Sequence, residues 1–203
     1  MRKKSPTKSL KHIKDEIVAI RNFVQEAKDK AMSDVAQDSC YEFAIIWAYK
    51  EFEQFILNIL VAQINRDPSR FYKAIGVIFD KHPTVDQCKY LLTGDRYFDF
   101  RGHGGLVQLI RKAAGVGSLL EIAAKDKEGR VAFEILVGLR NYVAHESDQS
   151  RQAALTAMRH WEPDRQNLGS AGYWLSVAIR GQTRLERLFA NVEELCEEMT
   201  KAV

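Results

Sequence analysis

The stretch DKEGRVAFEILVGLRNYVAHE, residues 126–146, decides the fold class. Asp126 suits an N-cap and no proline follows it, so the spacing predicts one helix from Asp126 to Glu146. At about 100° per residue, Ala132, Ile135, Leu136, Leu139, Tyr142 and Val143 share one broad face, the expected core face. Phe133, Val137 and Ala144 form a second, smaller apolar strip. Between the two runs a polar seam of Glu134, Asn141 and His145, with Gly138 beside it and Arg140 at the far edge of the smaller strip. A helix apolar on two sides is usually covered on two sides, so the seam is expected to lie in a cleft.

Outward from this helix the same periodicity predicts more helices and no clear β-strand. The first runs from about Ser9 to Ala31, with Ile13, Ile17, Ile20 and Val24 inward; Met32 to Ser39 reads as a loop. Tyr41 to Ile64 is apolar on most sides and is expected to be central. Within it Glu51 reads as solvent-facing, whereas Glu53, between Phe52 and Phe55, would need a partner if buried, and Arg140 is a candidate. Asp67-Pro68 opens a helix through Ile78, Thr84 to Leu92 forms another, and Thr93-Gly94-Asp95 turns the chain. Tyr97 to Gly105 reads as irregular and glycine-rich. Short helices follow at Leu106–Ala114 and Ser118–Lys125. Past the motif helix, Asp148 caps a helix through His160, Trp161 to Ser170 is a loop, and Ala171 to Lys201 is one long closing helix. Trp174, Leu175, Ala178, Ile179, Leu185, Leu188, Phe189, Val192 and Leu195 point inward along it. The expected fold is all-α, an antiparallel helical bundle with additional short helices, in a single domain over residues 1–203.

Charge and cysteine usage narrow the function classes. Arg2, Lys3, Lys4, Lys8, Lys11 and Lys14 fall in a stretch of 14 residues without an acid, while the whole chain is only +3. Such an arm is either a solvated, frayed terminus or a phosphate-attracting one, with Lys3, Lys4 and Lys8 as candidate RNA contacts. Cys40, Cys88 and Cys196 are isolated and odd in number, which points to reduced thiols and a cytoplasmic protein rather than a disulfide framework or zinc site. His82, His103 and His160 are isolated and His12 lies in the arm, so no metal site is expected. No apolar run is long enough to span a bilayer, and no membrane partner is expected.

Asn141 and His145, four apart, lie one above the other on their helix. Histidine, with a free pKa near neutrality, suits proton transfer, and arginine's planar fork of donors suits phosphate oxygens. Arginine and histidine near a helix C-terminus are also ordinary partners for the helix dipole and the last carbonyls, and spacing alone leaves both readings open. Leu139-Arg140-Asn141-Tyr142-Val143-Ala144-His145 resembles the R-x4-6-H motif of the HEPN superfamily in its RNxxxH form. Phe52-Glu53-Gln54-Phe55 resembles the Leu-Glu-x-Phe element of an early HEPN helix. Phe98 to Gly105 with Leu106–Ile110 resembles the segment before the motif helix in the RiboL-PSP branch. The resemblance covers roughly Tyr41 to the C-terminus.

That resemblance implies an all-α bundle of HEPN type and a metal-independent endoribonuclease with no cofactor. It places Arg140, Asn141 and His145 at the catalytic centre, with Glu53 in support. It also implies a homodimer whose two motifs share one composite cleft, and a role as a toxin with a cognate antitoxin or as an antiviral effector. Phe133, Val137 and Ala144 are the expected dimer contact, and Arg151 could add a phosphate contact, although an exposed helix-start arginine is the simpler reading. Two alternatives stay open: a non-catalytic HEPN-like module binding RNA or protein, and a helical bundle with no nucleic-acid role.

Overall fold

The computed structural model describes residues 3–77, 82–94, 96–100 and 102–203. Ile78 and Asp95, the expected ends of a helix and of a turn, lie outside the described residues. Among the described residues the fold is all-α apart from one two-stranded hairpin. In chain order the elements are α1 Pro6–Asp29, α2 Asp34–Arg66, α3 Ser69–Ile75, α4 Val85–Thr93, α5 Gly102–Ala114 and α6 Leu119–Ala124. Then come α7 Lys127–His145, α8 Asp148–Met158, α9 Ala171–Ser176, β1 Ala178–Ile179, β2 Gln182–Thr183 and α10 Arg184–Lys201.

The chain divides into two compact units, and α1, α2, α7 and α10 each contribute to both. Unit 1 holds residues 1–13, 52–129 and 194–203. Its core carries Phe55, Ile56, Ile59, Leu60 and Ile64, buried on the second half of α2, and an aromatic group in which Phe52 meets Phe55 and Phe100 at 6.4 and 6.5 Å. The acid-free N-terminal stretch is built into this unit. Ser5 accepts from the Lys8 backbone N–H, Pro6 takes the first helical position, and the helix starts three residues earlier than expected.

α5 and α6 are joined through one carboxylate. Glu121 is 3 % exposed and receives Arg111 Nη2 at 2.8 Å, Lys125 Nζ at 2.5 Å and the Gly117 backbone N–H at 2.8 Å. The bonds from Arg111, then those from Lys125 and Gly117, hold its carboxyl down at about 2 against an ordinary 4.5. Because the folded value is depressed, this link stabilises fully above pH 4.5 and is lost as pH falls toward about 2. Amide exchange in α6 is expected to accelerate, relative to the rest of unit 1, through that window in the wild type. In Glu121→Gln the same amides should exchange fast already at pH 6; equal protection in both proteins would contradict the link.

Unit 2 holds residues 14–51 and 130–193. Ile17, Ile20, Tyr41, Ile45, Ile135, Leu136, Leu139, Trp174, Leu188 and Phe189 are buried in it. Helix α2 begins at Asp34, inside the expected loop. Its early turns are held by α9, where a methyl group on Gly172 would collide with the Asp38 carbonyl. Glu51, read as solvent-facing, is 8 % exposed and pairs with Lys50 Nζ at 3.3 Å.

The expected closing helix is broken. Arg180 (φ 55°) and Gly181 (φ 84°) turn the chain between β1 and β2, the positive-φ pair of a tight hairpin. Thr183 and Glu186 then form a reciprocal cap that starts α10 afresh, with the Thr183 N–H donating to Glu186 at 2.7 Å and the Glu186 N–H to Thr183 at 3.2 Å. Ala178 and Ile179, expected inward, are therefore exposed on a strand.

Candidate functional site

Helix α7 forms as its sequence dictates. Asp126 Oδ2 accepts from the backbone N–H groups of Glu128 and Gly129, both at 3.1 Å, and so caps the first turn. Ala132, Ile135, Leu136 and Leu139 are fully buried, as expected of the core face, while Tyr142 and Val143 are half-buried. The helix ends at His145, where Glu146 adopts a left-handed φ of 47° and its N–H donates to the Tyr142 carbonyl at 2.8 Å.

The seam is present, and its members sit differently from one another. Arg140 Nη1 donates to Asn141 Oδ1 at 2.9 Å, and both side chains are half-buried. The Arg140 guanidinium also lies 4.9 Å from the centre of the Tyr49 ring, on α2. A cation held over an aromatic ring gains an attraction of about 0.5–2 kcal/mol without using a hydrogen-bond donor. One of five Arg140 donors is spent on Asn141, and the others have no acceptor among the described residues. Nothing in the motif signals Tyr49, because it reaches Arg140 from a helix far away in the sequence.

The imidazole departs from expectation. His145 is exposed, so this chain alone does not enclose it in a cleft. The smaller apolar strip is also reduced. Phe133 is 1 % exposed, which leaves half-buried Val137 and exposed Ala144 as the more accessible members. At the other end of the seam, Glu134 receives Arg130 Nε at 2.8 Å and lies 3.4 Å from His160 Nε2. His160, isolated by its place in the sequence, is therefore beside a carboxylate of the motif helix.

Among the outlying candidates, Glu53 is 5 % exposed and accepts a hydrogen bond from the Tyr97 hydroxyl, so it is buried and partnered as a burial argument requires. It belongs to unit 1, whereas Arg140, Asn141 and His145 belong to unit 2. Lys3, Lys4 and Lys8 also lie in unit 1. Arg151 is half-buried and donates to Asn167, so it is not the exposed helix-start arginine expected. With the Tyr142 hydroxyl donating to the Gly169 carbonyl at 2.8 Å, this bond ties the segment before α9 to the C-terminal end of α7 and the start of α8. The N-cap of α8 is Ser147, not Asp148, its side chain accepting from the Ser150 N–H at 3.1 Å.

Gly138 sets how closely α7 and α8 approach. A Cβ there would stand 3.0 Å from Ala154 Cα and 3.4 Å from its nitrogen, atoms that cannot rotate away. Gly138→Ala is expected to lower stability by about 1–3 kcal/mol through overpacking. Trp47, Trp161 and Trp174, the only tryptophans, all lie in unit 2, so intrinsic fluorescence during urea unfolding reads this effect directly. A change below about 0.5 kcal/mol would show that α8 yields without cost.

All three cysteines are free thiols, and burial pushes Cys88 up to about 11. Among the described residues no helix is long and apolar enough to cross a membrane, and no three or more His, Cys, Asp or Glu side chains are grouped to hold a metal ion. Comparison with protein-family models, with curated proteins and with solved structures finds no match for this chain.

Proposed function

We propose that this protein is an endoribonuclease of HEPN type, which cleaves RNA without a metal ion by attack of a 2′-hydroxyl on the adjacent phosphodiester. The observation that carries the reading is the grouping on the last two turns of α7. A guanidinium 4.9 Å from the centre of the Tyr49 ring, with unspent donors, stands on the same helix as an exposed imidazole. In the proposed reaction the 2′-oxygen bonds to phosphorus as its proton passes to a base, and the 5′-oxygen leaves with a proton from an acid. Arg140 neutralises the charge that develops on the phosphorane oxygens, His145 moves the proton, and the Asn141 amide fixes the guanidinium.

One histidine cannot act as base and acid in the same step. Exposure of His145, together with Val137 and Ala144 beside the seam, supports a site completed by a second copy of the chain related by a two-fold axis. Sedimentation velocity at micromolar concentration is expected to give a dimer. A monomer that cleaves RNA at full rate would overturn the composite arrangement. The biological role that fits such a nuclease is a toxin restrained by a cognate antitoxin, or an antiviral effector.

The same exposure favours one second reading, a non-catalytic HEPN-like module that binds RNA or a protein. That reading requires RNA binding that survives His145→Ala and no products from the wild type.

A further inference from the structure

Unit 1 contains a cavity of about 720 Å³ whose lining includes Lys3, Lys4, Lys8, His12, Asn58 and Thr84, and no carboxylate among the described residues. One buried amide builds its walls. Asn65, 1 % exposed, accepts from the Lys4 backbone N–H at 3.0 Å and donates to the Pro83 carbonyl at 2.9 Å. The start of α1 and the start of α4 are thus pinned to the same side chain, which pre-forms the space between them. Thr84 and Gln87 complete a reciprocal cap on α4, and the remaining first-turn N–H groups of both helices have no intrahelical acceptor. Asp86, in the first turn of α4, does not line the cavity.

The three lysines of the lining carry a cluster of like charge. No ion pair joins Lys3, Lys4 or Lys8 to a carboxylate among the described residues. Burial holds the Lys4 ammonium below its ordinary pKa, and Lys89 on α4 adds like-charge repulsion. An anion entering here relieves both costs, and the positive ends of two helix dipoles favour it further. A single phosphate would leave most of the cavity empty and only part of the charge matched, whereas a chain of linked phosphates spans several ammonium groups. No Phe, Tyr or Trp among the described residues lines the cavity to stack a base.

We propose that this cavity is a binding site for a small free molecule carrying two or more linked phosphates. The proposal is independent of the cleavage reading, since it involves none of Arg140, Asn141 and His145.

Isothermal titration of the full chain at matched ionic strength tests it with three probes: inorganic tripolyphosphate, ATP, and a short oligoribonucleotide without a terminal phosphate. The wild type is expected to give saturable heat with tripolyphosphate and with ATP, at least about tenfold tighter than with the oligonucleotide. Lys4→Gln/Lys8→Gln should lose tripolyphosphate binding by tenfold or more. Lys11→Gln/Lys112→Gln, which removes the same charge outside the cavity, should keep it. Both double variants alter exposed or half-exposed side chains, and circular dichroism checks that they remain folded. Equal binding by the two double variants, or heat only from the oligonucleotide, would overturn the proposal. The latter outcome would make these lysines part of an RNA track.

Discussion

His145→Ala is expected to reduce RNA cleavage by two to four orders of magnitude while leaving the unfolding midpoint within about 0.5 kcal/mol of wild type. The separation of the two effects follows from position. The imidazole is exposed at the last residue of α7, so its removal opens no cavity and strands no buried group. Arg140→Ala should lose activity to a similar degree through the phosphorane charge. It should also cost up to about 2 kcal/mol, because the guanidinium leaves the Tyr49 ring and the Asn141 amide. Arg140→Lys separates stacking and forked donation from charge, since an ammonium keeps only the last; activity should remain low. Initial rates on a fluorescent RNA, with urea unfolding of each variant, check the pair. A large stability loss in His145→Ala, or unchanged cleavage in either alanine variant, would contradict the assignment.

Glu162→Gln is expected to destabilise unit 2 by several times the cost of an ordinary surface substitution. Glu162 lies in the segment between α8 and α9, accepts from Arg165 Nη1 at 2.8 Å and the Trp174 indole N–H at 3.3 Å, and forms an ion pair with Arg184 Nε at 2.5 Å. Trp174 is fully buried and stacks on Trp161 at 6.2 Å, with Arg184 5.1 Å from the Trp174 ring and Arg187 4.1 Å from the Trp161 ring. The carboxylate is thus the counter-charge for cations gathered on two indoles. Its loss leaves Arg184, whose side chain is only 12 % exposed, without its counter-charge, while Nη1 still donates to the Trp174 carbonyl at 3.0 Å. Breaking a fully buried pair costs about 3–5 kcal/mol, and the partial exposure of Glu162 brings the expectation to roughly 2–4 kcal/mol. Burial works against the ionised form of Glu162, but the bonds from Arg165 and Trp174 and the charge of Arg184 outweigh it, and its pKa is lowered below 4.5. The pair therefore stabilises above pH 4.5 and weakens as pH falls, so the gap between wild type and variant should narrow in acid. Tryptophan fluorescence in urea at pH 7 and pH 3.5 measures it; a gap under about 1 kcal/mol at pH 7 would contradict the account.

Local signals were legible wherever one element settled its own structure. The Asp126 cap and the spacing of Ala132, Ile135, Leu136 and Leu139 placed α7 and its buried face correctly. Thr183-x-x-Glu186 and Gly181 announced the break before α10, but a continuous apolar period across residues 171–195 outweighed them in a reading by periodicity. What depended on distant residues was not legible. The helix from Asp34 is fixed by contact with Gly172, the start of α5 at Gly102 runs through glycines of low helix propensity, and the ring of His103 bonds the Ala124 carbonyl at 2.8 Å. At the site, periodicity showed two apolar sides of α7 without showing what covers each. Phe133 is buried, Ala144 is exposed, and the contact of Arg140 with Tyr49 has no counterpart in the motif.

In the proposed function Arg140 and His145 cleave RNA through its own 2′-hydroxyl. The most direct measurement incubates the purified protein in excess EDTA with an oligoribonucleotide, and with the same oligonucleotide carrying 2′-deoxy sugars at the cut positions. Cleavage of the first to fragments with 2′,3′-cyclic phosphate ends, no cleavage of the second, and none of either by His145→Ala is the result expected. An intact oligoribonucleotide, or cleavage that survives the 2′-deoxy substitution or the loss of His145, would contradict it.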